Sequence, residues 1–105
     1  MAEYKVEKVG FAIKRKEEFS RGMENANFIC GDMFGPFFST ALNKHLCVCN
    51  SKEQALEVIA ELRIDADKEP YGFVQSVPVV TAAKNDELEI VPIGIEMKVM
   101  VTIHG

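Results

Sequence analysis

His45, Cys47 and Cys49 carry the side chains of this chain best suited to chemistry. In an extended segment they point to one side, two residues apart. With Cys30, and with Asp32 beside it, they offer a Cys3His set of the kind tetrahedral zinc accepts. The spacing opposes that reading. Paired cysteine ligands usually leave two to four residues between them. A one-residue gap in a straight strand holds the sulfurs about 7 Å apart, against the roughly 3.8 Å that two Zn–S bonds allow. Buried free thiols acting as small hydrophobes are the alternative. A Cys–His nucleophile needs a depressed thiol pKa, and Cys49 stands just ahead of a helix start whose dipole would act in that direction. His45, however, lies about 13 Å along the strand from Cys49, and the other histidine, His104, is next to the chain's end. The expectation is reduced, metal-free cysteines, no catalytic residue and no cofactor, with His45, Cys47 and Cys49 kept as an alternative site.

A second group is aromatic. Four of the seven Phe fall within residues 23–38: Phe28, Phe34, Phe37 and Phe38, with Met23 and Met33 among them. Phe and Met are enriched in interface cores. Phe28, Met33, Phe34, Phe37 and Phe38 therefore form a candidate interaction surface, and filling the hydrophobic core is the competing role. Gly31–Gly35 is too short and too aromatic for a phosphate-binding loop. Asp65 and Asp67 stand in a polar stretch and read as solvated rather than as oxygen ligands.

These residues must be positioned by few elements. Residues 4–14 alternate as a strand, but Tyr4 and Val6 share one parity while Val9, Phe11 and Ile13 share the other. A period of two does not tolerate that slip without an extra residue, so a bulge is expected near Glu7-Lys8. Short strands are expected over Asn27–Cys30 and Phe37–Ala41, with turns at Gly31-Asp32 and Gly35-Pro36. His45–Cys49 reads as a strand covered on both faces. Ser51 followed by Gln54 is a capping box. It opens a helix over 51–63 with Ala55, Leu56, Ile59 and Leu62 inward, and Glu53, Glu57 and Glu61 in water. Tyr71–Ala83 reads as a strand, with Pro78 at an edge or bulge. Leu88–Ile93 reads as its return strand, broken by Pro92 and Gly94, and Ile95–Ile103 as a last amphipathic strand. The fold class expected is α+β: a mostly antiparallel β-sheet with one main helix packed on one face, a two-layer sandwich formed by a single domain over 1–105.

Composition bounds the function. The chain has 105 residues, 48% hydrophobic and 27% charged, with a net charge of −4. Residues 1–50 hold seven Lys/Arg against six Asp/Glu, and residues 51–105 hold five against ten. Such a balance gains nothing from the counterion release that drives nucleic-acid binding. Lys14-Arg15-Lys16 is followed at once by Glu17-Glu18, which reads as a solvated strand end. The chain has no apolar run of the length that spans a bilayer, and its first residues lack a signal peptide's apolar core. Three cysteines at irregular spacing make a poor disulfide framework. A cytoplasmic protein is expected, with no nucleic-acid and no membrane partner.

Residues 41–59, ALNKHLCVCNSKEQALEVI, followed by residues 71–80, YGFVQSVPVV, resemble small β-β-α-β proteins of bacteriophages and prophages. In these a strand runs into a Ser-x-Glu-x-Ala helix and a Val-rich strand returns. The resemblance covers about half the chain and implies no catalytic residue. It implies an accessory protein acting by binding, as small phage-encoded inhibitors of bacterial defence systems do, anti-CRISPR proteins among them. The expectation is a non-enzymatic protein that binds a protein partner. The alternative is a small-molecule binder or small enzyme with its site between the sheet and the Phe-rich segment 28–38. Excess apolar strand surface points to a homodimer, packed by sheet faces because Pro78 and Pro92 block edges.

Overall fold

The computed structural model describes residues 2–20, 26–68 and 73–101, with positions 2–6 and 97–101 described through their backbone. The architecture is α+β. Four antiparallel strands, β1 (Ala2–Arg15), β2 (Phe28–Asp32), β3 (Gly35–Ser39) and β4 (Leu88–Val101), form one sheet in the order β3-β2-β1-β4. The main helix α1 (Lys52–Ala66) and a shorter α2 (Val77–Lys84) lie together on one face.

Register explains which residues enter the core. β1 and β4 pair without interruption from Arg15↔Leu88 to Ala2↔Val101. No bulge interrupts this ladder at Glu7-Lys8, and neither Pro92 nor Gly94 breaks β4. Odd positions of β1 and even positions of β4 share the face under the helices. There Phe11, Ile13, Leu88 and Ile90 meet Ile29 and Phe38 from the β2–β3 hairpin. Ala55, Ile59, Leu62 and Ala66 of α1 close over them with Val79, Val80, Ala82 and Ala83 of α2. Alanines at the contact let the two helix backbones approach closely.

α1 starts where its cap predicts. The Gln54 N–H donates to Ser51 Oγ at 3.1 Å, and Gln54 Oε1 accepts from the Asn50 N–H at 2.7 Å. The reciprocal bond thus reaches one residue further back than in the usual box. The helix runs one turn past residue 63, to Ala66.

The expected strand over 71–83 is corrected. Residues 71 and 72 lie outside the described residues; Val74–Ser76 form a 3-10 turn and 77–84 are helical. Pro78 occupies the first turn of α2, where its missing N–H goes unused and its fixed φ suits the helix. Arg63 secures the far end: its Nε donates to the Ala83 carbonyl at 3.0 Å and its Nη2 to Asp86 Oδ1 at 3.1 Å.

The molecule is elongated. Its radius of gyration is 16.4 Å and its extents are 60 × 27 × 27 Å, against a radius near 13 Å for a compact chain of this length. Helices and hairpin sit against the Arg15/Leu88 end of the long ladder. Residues 2–9 of β1 and 94–101 of β4 continue beyond them as a two-stranded ribbon about 27 Å long, with no turn joining its distal end. Among the described residues, no helix is long and apolar enough to cross a membrane.

Candidate functional site

β1 and β2 touch at one register position, Lys14↔Phe28, and then diverge. Residues 45–49 fill the fork. Gly31 N–H donates to the His45 carbonyl and Cys47 N–H to that of Ile29. Phe11 and Cys49 exchange both backbone bonds, at 2.9 and 2.8 Å. The segment forms two isolated bridges, Cys30↔Leu46 and Phe11↔Cys49, rather than the regular strand that its composition predicts.

This wedge separates the proposed chemical set. His45 is exposed, its N–H held by Asn43 Oδ1 at 2.8 Å. Cys47 is half-buried against the core and Cys49 is buried. Cys30 is wholly buried, with its thiol near the Phe28 and Thr40 carbonyls. Among the described residues no three His, Cys, Asp or Glu side chains converge as a metal site. The helix start just beyond Cys49 does not lower its thiol pKa. Burial, then the charge of and a hydrogen bond with neighbouring Cys47, push its thiol up to about 11. Burial raises Cys30 too. Both thiols are held protonated, the opposite of what a nucleophile needs.

The aromatic group divides along the register. Phe38 faces the helices, with the Arg15 guanidinium stacked 3.8 Å from its ring centroid. Phe28 and Phe37 sit half-buried on the opposite face, Phe28 beneath the Lys14 ammonium. Only the hairpin tip stands clear: Met33 is 85% exposed and Phe34 50%. The sequence reading missed what joins them. Phe73 meets Phe34 edge-to-face at 5.3 Å, and Val74 beside it is 88% exposed. The result is a four-residue apolar patch built from two chain segments.

The patch rests on a braced turn. Asp32 opens the hairpin and its Oδ1 accepts from the Phe34 N–H at 2.7 Å; Gly35 closes it at φ +91°. Aspartate first and glycine fourth is the composition such a turn favours. From the other segment, Gln75 Nε2 donates to both Asp32 Oδ1 and the Gly35 carbonyl at 2.9 Å, and Ser76 Oγ donates to the Pro36 carbonyl at 2.9 Å. The segment carrying Phe73 and Val74 is thereby tied to the turn that carries Met33 and Phe34.

Two clefts lined by described residues open elsewhere. One, of about 520 Å³, lies on the ribbon against Glu7–Val9 and Gly94–Glu96, and another, of about 450 Å³, against Lys16–Glu18 and Glu89. Neither borders segment 28–38. Comparison of the chain with family models, with curated proteins and with solved structures finds no match.

Proposed function

We propose that this is a non-enzymatic binding protein that docks a protein partner through Met33, Phe34, Phe73 and Val74. One observation carries the reading: two segments that bear four exposed apolar side chains are tied together by the Gln75 and Ser76 hydrogen bonds and by the Phe34–Phe73 contact. Interfaces gain most from apolar and aromatic anchors presented without an ordering cost on binding. The half-buried Phe28 and Phe37 belong to the opposite sheet face, outside this patch. Inhibition of a host defence complex in a bacterial cytoplasm, by a phage accessory protein acting as a homodimer, is the role that the resemblance adds. The test is affinity capture from bacterial lysate with the native chain and a Met33→Asp/Phe34→Asp variant. The reading expects a partner retained by the native chain and lost by the variant, with helical circular dichroism unchanged. A partner held equally by both would remove the patch from the interface.

A further inference from the structure

The ribbon leaves both of its edges unpaired among the described residues, and the two edges differ. Phe11 fixes the phase on the β1 side: its N–H and C=O both face away from β4, to Cys49. Alternation then turns the same groups of Val9, Glu7, Lys5 and Glu3 outward, while even positions bond β4. On the β4 side the outward positions are even, and one is Pro92, which has no N–H to offer. β4 is therefore closed to strand addition near its middle. Among the described residues the β1 edge is open over residues 3–9, and it carries no proline.

We propose that a second copy of the chain adds there, β1 against β1 in antiparallel sense, with the two-fold axis at Val6. Length and charge together select this register: centring on Tyr4 also opposes Glu3 to Lys5, but joins only residues 3 and 5 of the outward set and so forms about half as many backbone bonds. Centring on Val6 places Lys5 of each copy opposite Glu7 of the other, and Glu3 opposite Val9. Centring on residue 5 would oppose Lys5 to Lys5 and Glu3 to Glu7; centring on residue 7 would oppose Glu7 to Glu7. Like charges directly opposed are destabilising, and opposite charges stabilise. The Val6 register forms about eight backbone hydrogen bonds and turns two ribbons into one four-stranded sheet. A lone two-stranded ribbon is marginal in water, and three or more strands are not, so the second copy supplies what the arm lacks. The inference deepens the homodimer element of the proposed function and makes no use of the hairpin patch. It also replaces the expected face-to-face packing, because Pro78 lies in a helix and Pro92 closes only the β4 edge.

Sedimentation equilibrium of the full chain at micromolar concentrations, with three variants, tests it. The native chain is expected to dimerise. Lys5→Glu should weaken the dimer by on the order of ten- to a hundredfold, as two attractive pairs become repulsive, and Lys5→Glu/Glu7→Lys should restore it. Val6→Cys should yield a covalent dimer on a non-reducing gel, since this register makes Val6–Val6 a non-hydrogen-bonded pair with Cα atoms about 4.5 Å apart, within disulfide reach. A native chain of one 11.7 kDa mass throughout would overturn the homodimer altogether. A native dimer unmoved by Lys5→Glu and without the Val6→Cys cross-link would overturn this interface alone. Binding through the hairpin patch is read separately by the capture experiment.

Discussion

Replacing Gly35 by alanine tests whether the hairpin tip is braced as described. Gly35 has φ +91°, where an L side chain is strained; that region costs a residue with a Cβ about 1–2 kcal/mol. A Cβ built there would lie 2.7 Å from Ser76 Oγ. The hydroxyl cannot turn aside freely, because it donates to the Pro36 carbonyl at 2.9 Å and Ser76 is buried. Displacing it loses a hydrogen bond worth about 1 kcal/mol. Gly35→Ala is therefore expected to destabilise by about 2–3 kcal/mol, a large share of the 5–15 kcal/mol typical of a domain. Ser76→Ala alone should cost about 1 kcal/mol through the lost bond. It also removes the colliding oxygen, leaving only Ser76 Cβ, 4.0 Å from the new Cβ. The double variant should then cost little more than Gly35→Ala alone, a coupling of about 1 kcal/mol that a double-mutant cycle from urea unfolding resolves. Additive single effects, or a Gly35→Ala variant within 0.5 kcal/mol or so of native, would refute the brace.

Ser51→Ala should cost about 1 kcal/mol by removing the acceptor for the Gln54 N–H, and Ser51→Gly only a few tenths, as read in thermal or urea unfolding. Cys49 gives a pH dependence. Its folded pKa lies above the unfolded value, so its contribution is complete below pH 9 and is lost as the pH rises from about 9 to about 11. The loss is of order 2–3 kcal/mol, and the urea midpoint of Cys49→Ala should fall less steeply over that range. Asp86 sits at φ +57°. Asp86→Gly relieves that conformation while giving up only surface pairs with Arg63 and Lys16. It should stay near native stability, whereas Asp86→Ala should cost about 1 kcal/mol more.

The cap of α1 and most of its stripe were legible because both are local: Ser51, Gln54, and Ala55, Ile59 and Leu62 at helical spacing need no knowledge of the rest of the chain, whereas Leu56, expected inward, is 58% exposed. α2 was not. Val74, Val77, Val79 and Val80 fit two strand parities, and β-branching favours that reading. The opposing signals were Pro78, at home in a first helical turn, and the buried run Val79, Val80, Ala82, Ala83, whose spacing fits a helix face. Burial against α1 outweighs propensity at these positions, as tertiary context often does. The same error hid Phe73 and Val74 from the candidate site. Their pairing with Phe34 crosses about 40 residues of sequence, and only the helical placement of residues 77–84 brings them to the turn. The cysteines read as small buried hydrophobes, and Cys30 and Cys49 are buried; the helix start beside Cys49 was visible in sequence, but the extent of the burial that raises its pKa was not.

The parity slip in β1 has a physical source other than a bulge. Register is unbroken from Ala2 to Arg15, so what changes along the strand is the face that needs cover. In the body the helices cover the odd positions, hence Phe11 and Ile13. The even positions there are small, Gly10 and Ala12, because residues 46–49 pass close by; a Cβ on Gly10 would meet Val48 Cγ1 at 2.7 Å. Beyond the body neither helix reaches the ribbon. Past Val9, which is apolar but 63% exposed, the odd positions become Glu7, Lys5 and Glu3, and apolar residues fall at even positions of β1 and odd positions of β4: Tyr4, Val6, Ile95, Met97, Val99 and Val101 by register. A switch of parity without a bulge marks a strand that leaves one covering layer and presents its other face. Strand addition along β1 would join two such faces edge to edge into one apolar surface, twice as wide as either ribbon's. The charged odd positions would meanwhile oppose one another across the junction on the other face.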